Sequence, residues 1–244
     1  MPVNSASSAW SNSALARAAR LSWTALAVFV VALAIAAWLY PGGSWTDRQG
    51  AGFSLWRNFW CDLVRSQAIN GADNGAARRV ASGAFGALAL ALWWFWPVAS
   101  SLLASAQRAL VCRLGRVSTL ALLGMVLLPS DAHPILHGVV ALVGGGLGML
   151  CAALSSAGRL SEESRWSLRR LSGMAALTLA AGNALLYVYV AYGGGPETLA
   201  QPGVQKLATF ALLLWMSSTL ACASGRARSG ECERGLSGRK SHSP

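Results

Sequence analysis

Two of the three histidines stand in one short segment, Ser130–His137, together with Asp131. His133 and His137 are spaced i, i+4, which puts both rings on one face of a helix. Two chemistries follow from that grouping. One is a carboxylate–histidine metal site, with His133, His137 and Asp131 as ligands and zinc as the cation. The other is metal-free acid–base work, with Asp62, Asp131, His133 and His137 as the candidate catalytic groups. An HxxxH pair without the Glu of HExxH also has a plainer reading. In it Asp131 caps the following helix, the histidines hydrogen-bond at an interface, and no cofactor is expected.

The second polar reservoir is Pro41–Asn74, the only long polar stretch between two apolar ones. It carries Asp47, Asp62 and Asp73 along with Asn58, Asn70 and Asn74. Asp47, Asn58, Asp62, Asn70, Asn74, Asp131 and His137 therefore make up the expected ligand-binding group. Phe53, Trp56, Phe59, Trp60 and Leu63 recur on one helical face. That pattern predicts an interfacial or re-entrant helix that caps the rest of the chain, or a lid over a lipid-sized cavity. Asn70-Gly71 and Asn74-Gly75 read as turns, with Asp73 or Asn74 capping the next helix.

The elements that must hold these groups are apolar. The chain is 54% hydrophobic and only 12% charged, a composition that fits a polytopic helical membrane protein. The apolar runs are too long, and alternate too little, for barrel strands. The predicted architecture is an all-α six-transmembrane-helix bundle with a long extracytoplasmic first loop. Its spans are expected near 21–40, 82–105, 110–129, 138–157, 171–192 and 204–224. Residues 1–20 form a cytoplasmic segment before the 21–224 membrane domain, and 225–244 a disordered basic cytoplasmic tail. The first apolar run is a full span and not the shorter core of a signal peptide.

Details of the spans carry further expectations. Pro97 is expected to kink the second. Gly144 and Gly148 form a GxxxG pair, for close internal packing or for a homo-oligomer. Tyr187, Tyr189 and Tyr192 end the fifth span as an aromatic belt. Asn183 is the main central polar side chain, which interhelical hydrogen bonding explains. Buried acids, His or Lys of the kind that couple ions to transport are nearly missing from the spans.

The net charge of +11 would suit a nucleic-acid partner, but the basic residues sit in short clusters between apolar runs. No nucleic acid is expected, and membrane lipids are. Arg17 and Arg20, Arg108, Arg113 and Arg116, Arg159, Arg165, Arg169 and Arg170, and the basic tail fall on one side. Arg48, Arg57, Arg65, Arg78, Arg79 and Lys206 fall on the other. The positive-inside rule then places both termini in the cytoplasm and the long loop outside. The five cysteines are scattered without a CxxC pair, so no disulfide framework is expected.

The stretches YPGGSWTD, WCDL, NGADN and LLPSDAHPILHG resemble motifs of the DUF998 family. These are bacterial six-span membrane proteins grouped with the eukaryotic Frag1/DRAM/Sfk1 proteins. The resemblance implies the six-helix fold, a bacterial inner-membrane location and an outer polar cluster at Asp62, Asn74, Asp131 and His137. Cys61 stands where that family often has Ser, and the basic tail has no counterpart. Alkaline ceramidase-like membrane hydrolases are similar in gathering Asp, His and Ser at one face. They need a third His from a late span, and no His lies between Gly138 and Ser241 here. The expected function is binding or sensing of a lipid or small amphiphile at the outer membrane face. The alternative is a lipid hydrolase or transferase that uses the Asp/His cluster, with or without a metal.

Overall fold

The computed structural model describes residues 10–103, 105–157, 167–193 and 200–240. Six helices are long and apolar enough to cross a membrane, and the protein is an all-α, multi-pass membrane bundle. They are α1 (Asn12–Leu39), α2 (Gly75–Ser101), α3 (Ser105–Leu127), α4 (Pro134–Ala157), α5 (Leu168–Tyr192) and α6 (Ala200–Lys240). Arg159 and Arg165, which entered the orientation argument, lie outside the described residues. In α6 the apolar part is Ala200–Gly225. The helix itself runs on to Lys240, where the sequence reading has a disordered tail from 225. No proline interrupts that stretch, so nothing removes a backbone donor from the helix there.

Local chemistry explains the helix ends. Ser11 caps α1 and accepts from the Ala14 N–H at 3.3 Å. The helix stops at Leu39 because Tyr40 precedes Pro41, and its backbone is extended (φ −67°, ψ 126°). Pro134 opens α4, where its missing N–H costs nothing. Pro97 lies one turn from the end of α2, and the Ser100 and Ser101 hydroxyls donate to the Pro97 and Val98 carbonyls at 3.0 and 2.7 Å.

Helices α2, α3, α4, α5 and α6 pack each against the next, and α6 returns to α2, so the five close a ring. Helix α1 lies against α2 and α6. The α1–α2 seam is lined with buried alanines, among them Ala36, Ala77, Ala81, Ala84 and Ala91. Small residues let two backbones approach where lipid gives no hydrophobic drive to associate. Ser22 crosses this seam and donates to the Ala91 carbonyl at 2.9 Å.

The buried core away from the first loop is aromatic. Phe95 meets Trp215 edge-on at 5.1 Å and Trp96 at 5.3 Å between centroids. A Cβ on Gly115 would overlap the Trp96 ring, so glycine lets α3 pass that side chain. The Trp96 indole donates to Thr119 at 3.1 Å. Gly144 and Gly148 face α3 within the chain. A Cβ on Gly144 would lie 2.8 Å from Leu122, and Ser118 donates to the Gly144 carbonyl at 2.6 Å.

The long first loop departs from expectation. Its start pairs as an antiparallel hairpin, β1 (Gly42–Ser44) with β2 (Asp47–Ala51). Gly43 needs its positive φ of 83°, and a Cβ there would strike the Asn70 backbone. The amphipathic helix predicted over Phe53–Leu63 is replaced by turns and one 3-10 helix, Trp60–Val64. Asn58 and Asp62 explain the change. The Asn58 Oδ1 accepts from the Ser54 N–H at 2.9 Å and the Asp62 Oδ2 from the Phe59 N–H at 2.8 Å. Such side-chain bonds compete with helix formation. Phe53, Trp60 and Leu63 still turn inward, while Trp56 is 52% exposed.

Candidate functional site

Under the first loop, a cavity of about 590 Å³ runs down inside the five-helix ring. That volume falls in the usual range for small-molecule sites, about 300–1,000 Å³. On α4 its wall extends from Pro134 to Ala152, and on α6 from Gln201 to Trp215. At the helical rise per residue these stretches measure about 27 and about 21 Å. The cavity is thus a shaft, longer than half the hydrocarbon thickness of a bilayer, about 15 Å. Leu122, Met125, Ala141, Met149, Ala180 and Leu212 make its wall apolar, while Arg57, Cys61, Asp62, Arg65, Gln205 and His137 lie at its loop-bearing end.

Asp62 and His137 are the two expected site residues that reach this wall. Asp62 is 2% exposed. Its Oδ2 accepts from the Phe59 N–H and from the Asn58 Nδ2 at 3.1 Å. Burial pushes its carboxyl above the ordinary range, against the pull of those donors and of nearby Arg65 and Lys206. The His137 Nδ1 lies 2.8 Å from the Leu128 carbonyl, so that nitrogen carries the proton as donor and Nε2 is the free position.

The other predicted residues hold the loop together. Asn58, fully buried, donates to the Gly43 carbonyl at 2.7 Å and bridges hairpin to 3-10 helix. Asn74 was expected to cap α2 with its side chain. It stands at the cap position, but its Nδ2 instead reaches the carbonyls of Asp62, Leu63 and Arg65, the last at 2.9 Å. Asp73 makes the local turn, accepting from the Gly75 N–H at 3.3 Å. Asn70 closes its own turn by accepting from the Ala72 N–H at 3.1 Å. Asp47 pairs with Arg57 at 3.1 Å, half exposed.

Asp131 does not cap α4. Its Oδ2 accepts from the Ser66 N–H at 2.8 Å and from the Ser66 hydroxyl, tying the first loop to the α3–α4 turn. Partial burial works against its ionised form, but the two Ser66 donors together hold the carboxyl below the ordinary range. His133 is exposed and stands just before α4, its carbonyl accepting from the His137 N–H at 2.9 Å, while His137 is buried. Among the described residues no three His, Cys, Asp or Glu side chains gather as a metal site.

Lys206 is the residue that sequence reasoning undervalued. It was counted as a boundary charge, yet it is fully buried. Its Nζ donates to the Asn58 carbonyl at 2.5 Å and sits 4.3 Å from the Trp60 ring centroid and 5.5 Å from that of Phe53. Gln205 accepts from the Trp60 N–H at 2.9 Å, and Thr209 from the Trp60 indole at 3.0 Å. Together these three α6 residues clamp the loop onto the mouth of the shaft. The spacing Gln205, Lys206 and Thr209 in an otherwise apolar helix was the available signal.

Cys61 also lines the cavity. Desolvation pushes its thiol up to about 12, so it is no thiolate nucleophile at neutral pH. The arrangement can enclose an apolar chain and meet a polar end, and its loop is pinned from two sides. No family model, curated protein or solved structure matches this chain.

Proposed function

We propose that the protein binds or senses a lipid or small amphiphile at the outer face of a bacterial inner membrane, with both termini in the cytoplasm. The observation that carries this reading is the shape and lining of the shaft. A water-soluble solute has little use for some 20 Å of mainly apolar wall, whereas an alkyl chain fills it and leaves its polar end among Arg57, Asp62, Arg65 and His137. The DUF998 likeness supports the same location but rests on short motifs, and carries no reaction with it. The hydrolase or transferase alternative draws on Asp62 and His137 lining one cavity. It is the poorer fit, because the bonded Asp62 oxygen and the undeprotonated Cys61 offer no activated nucleophile.

Native mass spectrometry of the detergent-purified protein tests the reading. A stoichiometric lipid or amphiphile adduct is expected on the parent and is expected to be lost from Ala180→Phe, which narrows the shaft. A folded parent that carries no adduct, and takes up none from added octadecanol, would refute it.

A further inference from the structure

Each cation near the cavity mouth except one is already satisfied. Arg57 is paired with Asp47. Lys206 is not on the cavity wall and spends its ammonium on the Asn58 carbonyl and two aromatic faces. Arg65 is different. It lines the cavity, its Nε is buried without a hydrogen-bond partner, and among the described residues it forms no ion pair. Trp45, itself on the cavity wall, lies 5.5 Å from the Arg65 guanidinium carbon and helps fix its position.

A buried N–H of a charged group left unpaired is costly, and an anionic oxygen is the partner that suits it best. Asp62 and Asp131 lie within electrostatic reach of Arg65, but among the described residues neither forms an ion pair with it, although the Asp131 Oδ1 is also buried without a hydrogen-bond partner. The Asp131 Oδ2 is taken by Ser66, and the Asp62 Oδ2 by Asn58 and Phe59. Below this mouth the shaft is mainly apolar, with Ser118, Asn183 and Thr209 as polar groups on its wall. Gln201, Gln205 and Ser130 add neutral polar groups at the rim.

We infer that Arg65 anchors an anionic head group, a carboxylate or a phosphate, of an amphiphile whose single alkyl chain occupies the shaft. This rests on the amphiphile reading above and names the class of its ligand. The guanidinium gives two or more parallel donors to such a head, which a neutral alcohol cannot exploit as well. Burial favours the protonated form of Asp62, which lowers its repulsion of the anion.

The test uses radiolabelled octadecanoate, octadecyl phosphate and octadecanol, which share one chain length, with the full-length protein in detergent and a scintillation proximity readout. The two anions are expected to bind about tenfold or more tightly than the alcohol. In Arg65→Gln that preference should fall to near parity with octadecanol affinity unchanged, and Arg65→Lys should restore part of it. Equal binding of anions and alcohol to the parent would overturn the head-group assignment and leave the amphiphile reading standing. Failure of all three to bind would sink both. A preference that survives in Arg65→Gln would overturn the role of Arg65, and if that variant does not fold, an Arg65→Lys protein with no preference does the same. Displacement of octadecanoate by millimolar inorganic phosphate would overturn the lipid as occupant, since a free anion would then fill the site.

Discussion

Replacing Lys206 by methionine should loosen the first loop without unfolding the bundle. The ammonium makes one short bond to the Asn58 carbonyl and lies over Trp60. A hydrogen bond from a charged donor contributes about 1.5–3 kcal/mol, and a desolvated cation–π contact about 0.5–2 kcal/mol. Methionine keeps the volume and removes the cost of burying a charge, so the low ends of both ranges apply, about 2 kcal/mol. That corresponds to about a 30-fold rise in local opening. Hydrogen exchange resolved at Phe53–Val64 reads it directly, with the α1–α2 seam, held by its own buried alanines, as the internal control. The expected result is faster exchange at the Trp60 amide, which Gln205 accepts, and unchanged exchange in α2. Loop exchange within about threefold of the parent would mean that Lys206 is not a clamp, and that Gln205 and Thr209 hold the loop alone.

Asn74→Asp should destabilise the protein by about 2 kcal/mol or more, because a carboxylate would face the three carbonyls that the amide now serves. Thermal unfolding in detergent measures it, and Asn74→Ala should cost less than Asn74→Asp. The two loop carboxyls should pull stability in opposite directions with pH. Asp62, with its folded value raised, contributes stability below the unfolded carboxylate range, about 3.9, that is lost as pH rises through the folded value. Asp131, with its folded value lowered, contributes stability above that range that is lost as pH falls through the folded value. Melting curves across pH should therefore lose their decline with pH rising above about 3.9 in Asp62→Asn and their decline with pH falling below it in Asp131→Asn. Gly115→Ala should cost about 1–3 kcal/mol through overlap with Trp96, read as a lowered melting temperature that Trp96→Phe partly restores.

The six spans could be read from composition and run length alone, since a bilayer demands about 20 apolar residues per helix and little else. Pro41 follows the end of α1 and Pro134 opens α4, boundaries that proline chemistry sets locally. Polar clustering pointed to the end of the molecule where Asp62 and His137, far apart in the chain, reach one cavity wall. Roles within that cluster were not legible. Asn58, Asn74 and Asp131 look like site residues by type. Long-range partners decide that they are scaffold, through backbone carbonyls and Ser66 that no spacing rule reveals. The aromatic period over Phe53–Leu63 suggested a helix, yet local side-chain bonds from Asn58 and Asp62 broke it. The shaft exists only because five helices close into a ring, and Arg65 and Lys206 acquire opposite duties from which side of the loop each one faces. Apolar length is a property of the chain, whereas enclosure, burial of charge and an unpaired guanidinium are properties of packing.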